Sequence, residues 1–522
     1  MALSASTLRL LIVIFVALGS TTYGYCASII STTLAQPSFI AYFELDTRSN
    51  ATDLIGSIFG LFQTGGFFGT LSCIQSADWL GRRKALFYAG LVTTVGGALQ
   101  AGSVNIGMYI FSRFLTGIGI GALVTLVPLY QSEIAPPKIR GFLVAMHGVM
   151  LCVGYSAASW VGLGFYFVDA GGAQWRLPLA IQAVWPAVLS AGVLFLPETP
   201  RWRMSSFCYS SAPLGSGTRA DQRGTVLDHD RFEEAFASFK HVRAESSDAF
   251  LNDEAALRAD FAVLREQIIF EKQQQLSFWD LFRLPHYRKR LIVGFVTMVA
   301  PQITGTQIIY NYGSQLYKSL GFNTLEQLLL SCGWITFSPF GNWFNGLVVD
   351  RMGRVRMLLI GIIGCVLCLV GEVITLAQLE KGENRAATNA AVFFLFLFVG
   401  FYASFIDATT YIYASEIFPT PVRAKGLSIS ISGLFLSSLA ILQGAPAGFA
   451  NIGWRYYLVF ISVTTVMVIF MYCYFPETKK MSLEEIGQVF GDEVAHVDPS
   501  TATAMGEKED VEMHIETARP KE

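Results

Sequence analysis

The stretch SEIAPPKIRG fills residues 132–141, and SEIFPTPVRAKG fills residues 415–426. Two polar phrases of nearly one spelling thus interrupt a text that is otherwise apolar. Two further pairs keep the same order at nearly the same offset. DWLGRRK at 78–84 returns as DRMGRVR at 350–356, and PETPR at 197–201 returns as PETKK at 476–480. Three phrases repeated in one order indicate duplication: one unit written twice, each copy carrying the same polar edge.

The composition says what kind of unit it is. Of 522 residues, 52% are hydrophobic and 15% charged, whereas soluble domains run near ~25% charged. A membrane-spanning helix needs ~20 consecutive apolar residues, and twelve such runs can be marked. They cover 8–30, 53–73, 84–104, 107–128, 141–165 and 178–197, then 290–311, 326–349, 356–378, 390–412, 427–449 and 454–475. The first run continues through TTYGYCASII, past the ~7–15 apolar residues of a signal peptide, and reads as a retained helix. The expected fold is an all-α polytopic membrane protein with twelve transmembrane helices in two pseudo-symmetric six-helix bundles. Parallel repeats related by an axis along the membrane normal characterise one class of transporters.

The bundles are assigned to 1–198 and 286–475. Between them, residues 199–285 read as a polar loop with an amphipathic helix, in which Leu257, Phe261, Leu264 and Ile268 recur at helical spacing. Residues 476–522 form an acidic, polar tail. Ten Lys and Arg of the short loops fall on the side of the repeated phrases and six on the other. By the positive-inside rule the repeated phrases, the long loop and both termini are cytoplasmic, and a plasma-membrane protein is expected. Asn50, in the one N-x-S/T triplet of the chain, then faces outside as a candidate glycan acceptor. The eight cysteines are scattered, mostly within apolar runs, so neither a disulfide framework nor a metal site is expected. Cys365 and Cys368 form a CxxC, but in mid-run they read as packing.

The repeated charges are Asp78, Arg82, Arg83, Glu133 and Arg140 in the first copy, and Asp350, Arg354, Glu416 and Arg423 in the second. Carboxylates and guanidiniums at helix ends can form forked ion pairs. Pairs across the two halves would act as a gate on the cytoplasmic side, opened by breaking them. Purely topogenic charges would explain the arginines but not the matched acids.

These phrases, together with RFLTGIGIG at 113–121, PLYQSEIAPPKIRG and PETKKMSLEEI, resemble the sugar porter family of the major facilitator superfamily over nearly all of residues 8–490. GYCASIISTTLAQPSF and RGFLVAMHGVMLCVGYSAASWVG are similar to its fungal hexose and disaccharide permease branch. The resemblance implies one central site, alternately open to each side.

In the seventh run, PQITGTQIIYNYGSQLY holds Gln302, Thr306, Gln307, Tyr310, Asn311 and Tyr312, too many polar groups for a lipid-facing helix. The resemblance implies that Gln302, Gln307 and Tyr312 touch substrate, joined by Tyr411, where the family carries Trp, and by Ser338. The alternative for the glutamines is hydrogen bonding between helices. The chain departs from the family elsewhere. Gly148, beside His147, replaces a Gln, and LFLSS at 434–438 replaces NWxxN. Cys26 stands where family symporters carry Asp, and a thiol with a reference pKa near ~8.5 is a poor proton carrier. Facilitated diffusion is therefore favoured over proton symport. Asp407, inside the tenth run, is an intramembrane acid and a functional candidate; it could carry protons, bind a hydroxyl or pair with His147. Arg113 is expected to pair with a cytoplasmic-side carboxylate, and Glu372 to lie at the interface.

The favoured function is transport of a sugar or sugar-like polyol. Transport of a small non-sugar metabolite, or a non-transporting nutrient receptor, are the alternatives. The chain carries no HExxH, phosphate-loop or nucleophile-elbow motif, so an enzyme is not expected. No cofactor and no nucleic-acid partner are expected; the partners are a small-molecule substrate and membrane lipid, and a monomer would suffice.

Overall fold

The computed structural model describes residues 5–134, 140–168, 170, 172–199, 202, 278–380, 382, 384–419, 422–479, 481 and 483–491. Twelve long helical elements carry the architecture. In the first half these are α1 (Ala5–Val16, continued by Leu18–Ala35), α2 (Ala51–Trp79), α3 (Arg82–Ala101), α4 (Ile106–Ile134), α5 (Arg140–Tyr166) and α6 (Ala173–Ile181, continued by Val184–Val193). In the second half α7 comprises Pro285–Pro301 and Gln307–Ser319, joined by a π turn at Gln302–Thr306. It is followed by α8 (Thr324–Met352) and α9 (Arg354–Leu379). α10 comprises Arg385–Phe401 and Asp407–Glu416 around a second π turn at Tyr402–Ile406; α11 (Arg423–Ile452) and α12 (Tyr456–Tyr474) complete the set. No strand occurs among the described residues.

Ten of these are long and apolar enough to cross a membrane on composition alone. The two that are not, α3 and α8, pay for polarity that the fold uses: α3 opens on Arg82, Arg83 and Lys84, and α8 carries Asn342, Asn345, Asp350 and Arg351. Residues Leu10–Thr199 and Leu276–Asp492 form one compact unit. The predicted amphipathic helix and the acidic tail beyond residue 491 lie outside the described residues.

Packing repeats between the halves. α1 lies on α5 as α7 lies on α11, and α3 lies on α4 as α9 lies on α10. The halves meet where α2 packs on α11 and α5 on α8. Along the α5 interface, apolar contacts bracket the centre. Near the repeated phrases Val144 and Ala145 pack with Val349, Met357, Ala408 and Ile412. Toward the opposite end Leu163 packs with Leu328 and Cys332. Between these two plugs the contacts of α5 with the second half turn polar, through Cys152 to Asp407 and Ser156 to Ile335 O.

Candidate functional site

The space between the plugs begins at the break in α7. Pro301 has no N–H to give to the helix ladder, and Gly305 sits at φ 85° and ψ 5°, a left-handed geometry that a residue with a side chain adopts only at a cost. The resulting π turn sets Gln302 and Gln307 on the cavity wall. A matching π turn in α10 does the same for Tyr402 and Asp407; such turns concentrate at functional sites.

The cavity they open is narrow and partly enclosed, lined from both halves. The first half contributes Tyr23 from α1 with Leu151 and Tyr155 from α5; the second contributes Gln302, Thr306, Gln307 and Tyr310 from α7, Tyr402, Asp407 and Tyr411 from α10, and Leu434 from α11. Tyr155 and Tyr310, one from each half, have ring centroids 5.0 Å apart. Gln307 Nε2 donates to Gln302 Oε1 at 2.8 Å. Ser438 Oγ also donates to Gln302 Oε1, at 3.4 Å, and Asn311 Nδ2 donates to Gln307 Oε1 at 3.1 Å. Asp407 Oδ2 accepts from Asn342 Nδ2 at 3.0 Å and from the Cys152 thiol at 3.3 Å. Because Cys152 belongs to α5 and the other two residues to the second half, this carboxyl ties the halves together.

Of the residues read from sequence as substrate contacts, Gln302, Gln307 and Tyr411 line the cavity, and so does Asp407. Tyr312 does not; its ring packs 5.2 Å from that of Phe59 and its hydroxyl donates to Leu442 O. Ser338 is buried in α8, one turn before Asn342, and also lies off the cavity. The His147–Asp407 pairing does not form: His147 Nδ1 bonds to Ser20 Oγ at 2.7 Å, and its ring packs edge-on to Tyr411 at 4.5 Å. Sequence reading missed Tyr23, Leu151, Cys152, Tyr155 and Tyr402. A signal existed in α5, where Gly148, Cys152, Tyr155 and Ser159 recur on one face.

A second constellation sits at the ends that carry the repeated phrases, and its geometry repeats with the sequence. Arg82 donates to Glu133 Oε1 through Nε at 3.2 Å and Nη2 at 2.9 Å, and to Asp78 at 3.3 Å. Arg354 forks onto both oxygens of Glu416, at 3.0 and 2.9 Å, and reaches Asp350 at 2.9 Å. Glu198 accepts from the backbone N–H groups of Arg82, Arg83 and Thr199; Glu477 accepts from those of Arg354, Val355 and Thr478. A carboxylate thus caps the first turn of α3 and of α9, where helix amides lack partners and the helix dipole favours negative charge. Burial pushes the Glu198 carboxyl above the ordinary range, against the Arg83 and Thr199 amides and the Arg82 charge that pull it down. Tyr130 donates to Pro197 O and Tyr413 to Pro476 O, both at 2.8 Å.

The ion pairs of both described clasps close within one half, and Asp78 also feels the Lys425 charge from the other half, the kind of cross-half pairing that was expected. Asp78–Arg82 and Asp350–Arg354 are i,i+4 pairs, so local spacing completes them. Arg423 is buried at the start of α11, its Nε donating to Phe418 O. Arg140 opens α5; residues 135–139 before it lie outside the described set. Two expectations are corrected. Arg113 meets no carboxylate among the described residues; it donates to Cys26 O at 2.9 Å and lies 4.1 Å over the Phe62 ring. It sits two turns from the α4 end remote from the repeated phrases, too far along the helix to reach their acids. Glu372 is not interfacial but 3% exposed, enclosed by the α9 packing.

Two six-helix halves, related by repeated clasps and enclosing a polar cavity between apolar plugs, define a membrane carrier of the major facilitator type. The chain belongs to the sugar (and other) transporter family, whose model matches residues 12–490. It is 32% identical to the MFS-type transporter criB of Aspergillus cristatus, over 90% of each chain. It is 28% identical to the quinate permease of Neurospora africana, over 91% of this chain and 87% of that one. The proton:xylose symporter XylE bound to 6-bromo-6-deoxy-D-glucose superposes with a TM-score of 0.76 at 19% identity, covering 93% of this chain and 99% of that one.

Proposed function

We propose that this protein carries a sugar or sugar-like polyol across the plasma membrane by alternating access, through facilitated diffusion, with both termini cytoplasmic and without cofactor or enzymatic chemistry. The observation that carries the reading is the cavity between the halves. It puts two amides, one carboxyl and five tyrosines at the depth where α7 and α10 break. Separating the plug near the repeated phrases would open it to one side, and separating the other plug to the opposite side. The clasps hold each half rigid, and the interface between halves is where movement would occur. Such carriers rock one repeat against the other around a fixed site. The xylose transport named for XylE and the quinate transport named for the fungal permease both concern hydroxylated rings, which supports a polyol here.

Facilitated diffusion is supported by α1, where Cys26 is buried behind the cavity wall and offers no acid. Asp407, the acid in the cavity, is instead held by Asn342 and Cys152.

In a transport-deficient host, the full chain is expected to take up labelled sugar saturably, and Gln302→Ala to abolish uptake while surface display stays unchanged. Uptake should continue when a protonophore collapses the proton gradient. Failure of every solute in a sugar panel to accumulate or compete would remove the sugar assignment; arrest by the protonophore would replace facilitated diffusion with symport.

Asn50 is exposed immediately before α2, at the end remote from the repeated phrases. As a proposed glycan acceptor it should give a band that shortens on endoglycosidase treatment and is already short in Asn50→Gln. No mobility change in either would rule the glycan out.

A further inference from the structure

The pattern of acceptors, rings and charge around the cavity narrows the solute further, on the transport reading given above. We infer that the site takes an uncharged solute joining a hydroxylated ring to an aromatic one, an aryl glycoside or a phenolic polyol, and rejects carboxylates.

Hydroxyl donors on a solute need acceptors, and the amide and carboxyl oxygens in this cavity are already partly engaged. Gln302 Oε1 receives Gln307 and Ser438, and Gln307 Oε1 receives Asn311. One oxygen of Asp407 receives Asn342 and Cys152. A free hexose carries a hydroxyl on nearly every carbon, and each one buried without a partner counts against binding. The open Asp407 oxygen, the second lone pair of Gln307 Oε1 and the lining hydroxyls can serve one hydroxylated ring, and the aromatic faces beside them offer no strong acceptor for a second.

The rest of the wall is aromatic and aliphatic. Tyr23 and Tyr155 stand 6.3 Å apart between centroids, Tyr155 and Tyr310 5.0 Å, and Tyr310 and Tyr402 6.4 Å. These rings form a continuous path from one half to the other, continued by the leucines Leu151 and Leu434. Such a path rewards an aromatic face with offset or edge-on ring contacts that a sugar face lacks. Among the described residues no Lys, Arg or His lines the cavity, while Asp407 does, and no cation pairs with Asp407. A carboxylate solute would meet a like charge with nothing to compensate it. The likeness to the quinate permease therefore does not extend to its substrate.

The test measures uptake of labelled phenyl β-glucoside, glucose and quinate by cells expressing the full chain, with surface display quantified through a tag. Phenyl glucoside is expected to enter with a KM about tenfold below that of glucose, and quinate neither to enter nor to compete. Tyr402→Leu and Tyr310→Leu should raise the KM for the aryl compound more than that for glucose, so that the ratio falls toward one, and Tyr402→Phe should keep the preference. Asp407→Asn should let quinate compete. Equal KM values for glucose and its phenyl glycoside would overturn the inference and leave the sugar reading standing. Quinate entry by the unaltered chain would overturn the charge argument. A displayed protein that accumulates none of the three would sink both readings. Should a leucine variant lose display, the phenyl glucoside to glucose ratio of the unaltered chain still decides.

Discussion

An Arg354→Ala chain is expected to melt well below the parent in detergent, reach the membrane in reduced amount and lose most transport. The guanidinium forks onto both oxygens of Glu416, with the two side chains only 5% and 9% exposed. Removing one member of a buried pair costs about 3–5 kcal/mol, because the remaining charge keeps its desolvation penalty and loses the interaction that offset it. Against a net stability of roughly 5–15 kcal/mol for a folded protein, that is a large fraction. Asp350→Asn separates this effect from simple charge loss. The Asp350 side chain is 38% exposed, so its pair is worth about 0–1 kcal/mol and the variant should behave like the parent. Arg354→Lys should fall between, since an ammonium keeps the charge but cannot fork. Arg82→Ala should be milder than Arg354→Ala: both Arg82 donors converge on one Glu133 oxygen, and Glu133 Oε2 already lacks a hydrogen-bond partner. A thermal melt in which Arg354→Ala and Asp350→Asn coincide would show that the fork carries no stability.

That the clasps recur at all could be read from the chain, because charges inside a bilayer protein concentrate at helix ends where water reaches them. Duplicated helix ends therefore stand out as duplicated polar phrases. The apolar runs marked the spans for the same reason, although the helices extend past them; α2, for instance, reaches Ala51–Trp79 where the run covers 53–73. Partner choice was not legible. Glu133 and Arg82 meet because α3 packs on α4, and no spacing in the sequence states which helices are neighbours. The cavity was half legible. Gln302, Gln307 and Asp407 stood out as amides and an acid within apolar text, which must find partners away from lipid. Tyr23, Tyr155 and Tyr402 did not, since a tyrosine suits a membrane interface, a core or a ring wall equally well. Which tyrosines line the cavity depends on helix rotation, and in α10 that rotation is set by a π turn that no proline announces.

The interface between the halves supplies the second large effect, at Gly148. A Cβ built there would lie 2.7 Å from Asn342 Oδ1 and 2.9 Å from Ala408 Cβ, so α5 can approach α8 and α10 only with glycine at this position. Cys152 lies one turn further along the same face and reaches Asp407 across this contact. Gly148→Leu is expected to wedge the halves apart here. Overpacking of this kind costs about 1–3 kcal/mol, and the cost falls on the state in which the halves are closed around the cavity. States that part α5 from α8 and α10 avoid it, so the balance among conformations shifts by up to about a hundredfold at ~1.4 kcal/mol per tenfold. A carrier held away from its closed state cannot complete its cycle, and uptake should fall at least about fivefold by the same conversion. The thiol gives an independent readout. Cys152 is fully buried, and alkylation by a maleimide, mapped by mass spectrometry of its peptide, should be slow in the parent and fast in Gly148→Leu. Gly148→Ala should show both changes in smaller measure. A monodisperse Gly148→Leu protein with parental uptake and a parental Cys152 labelling rate would mean that the halves do not close on each other at this contact during transport.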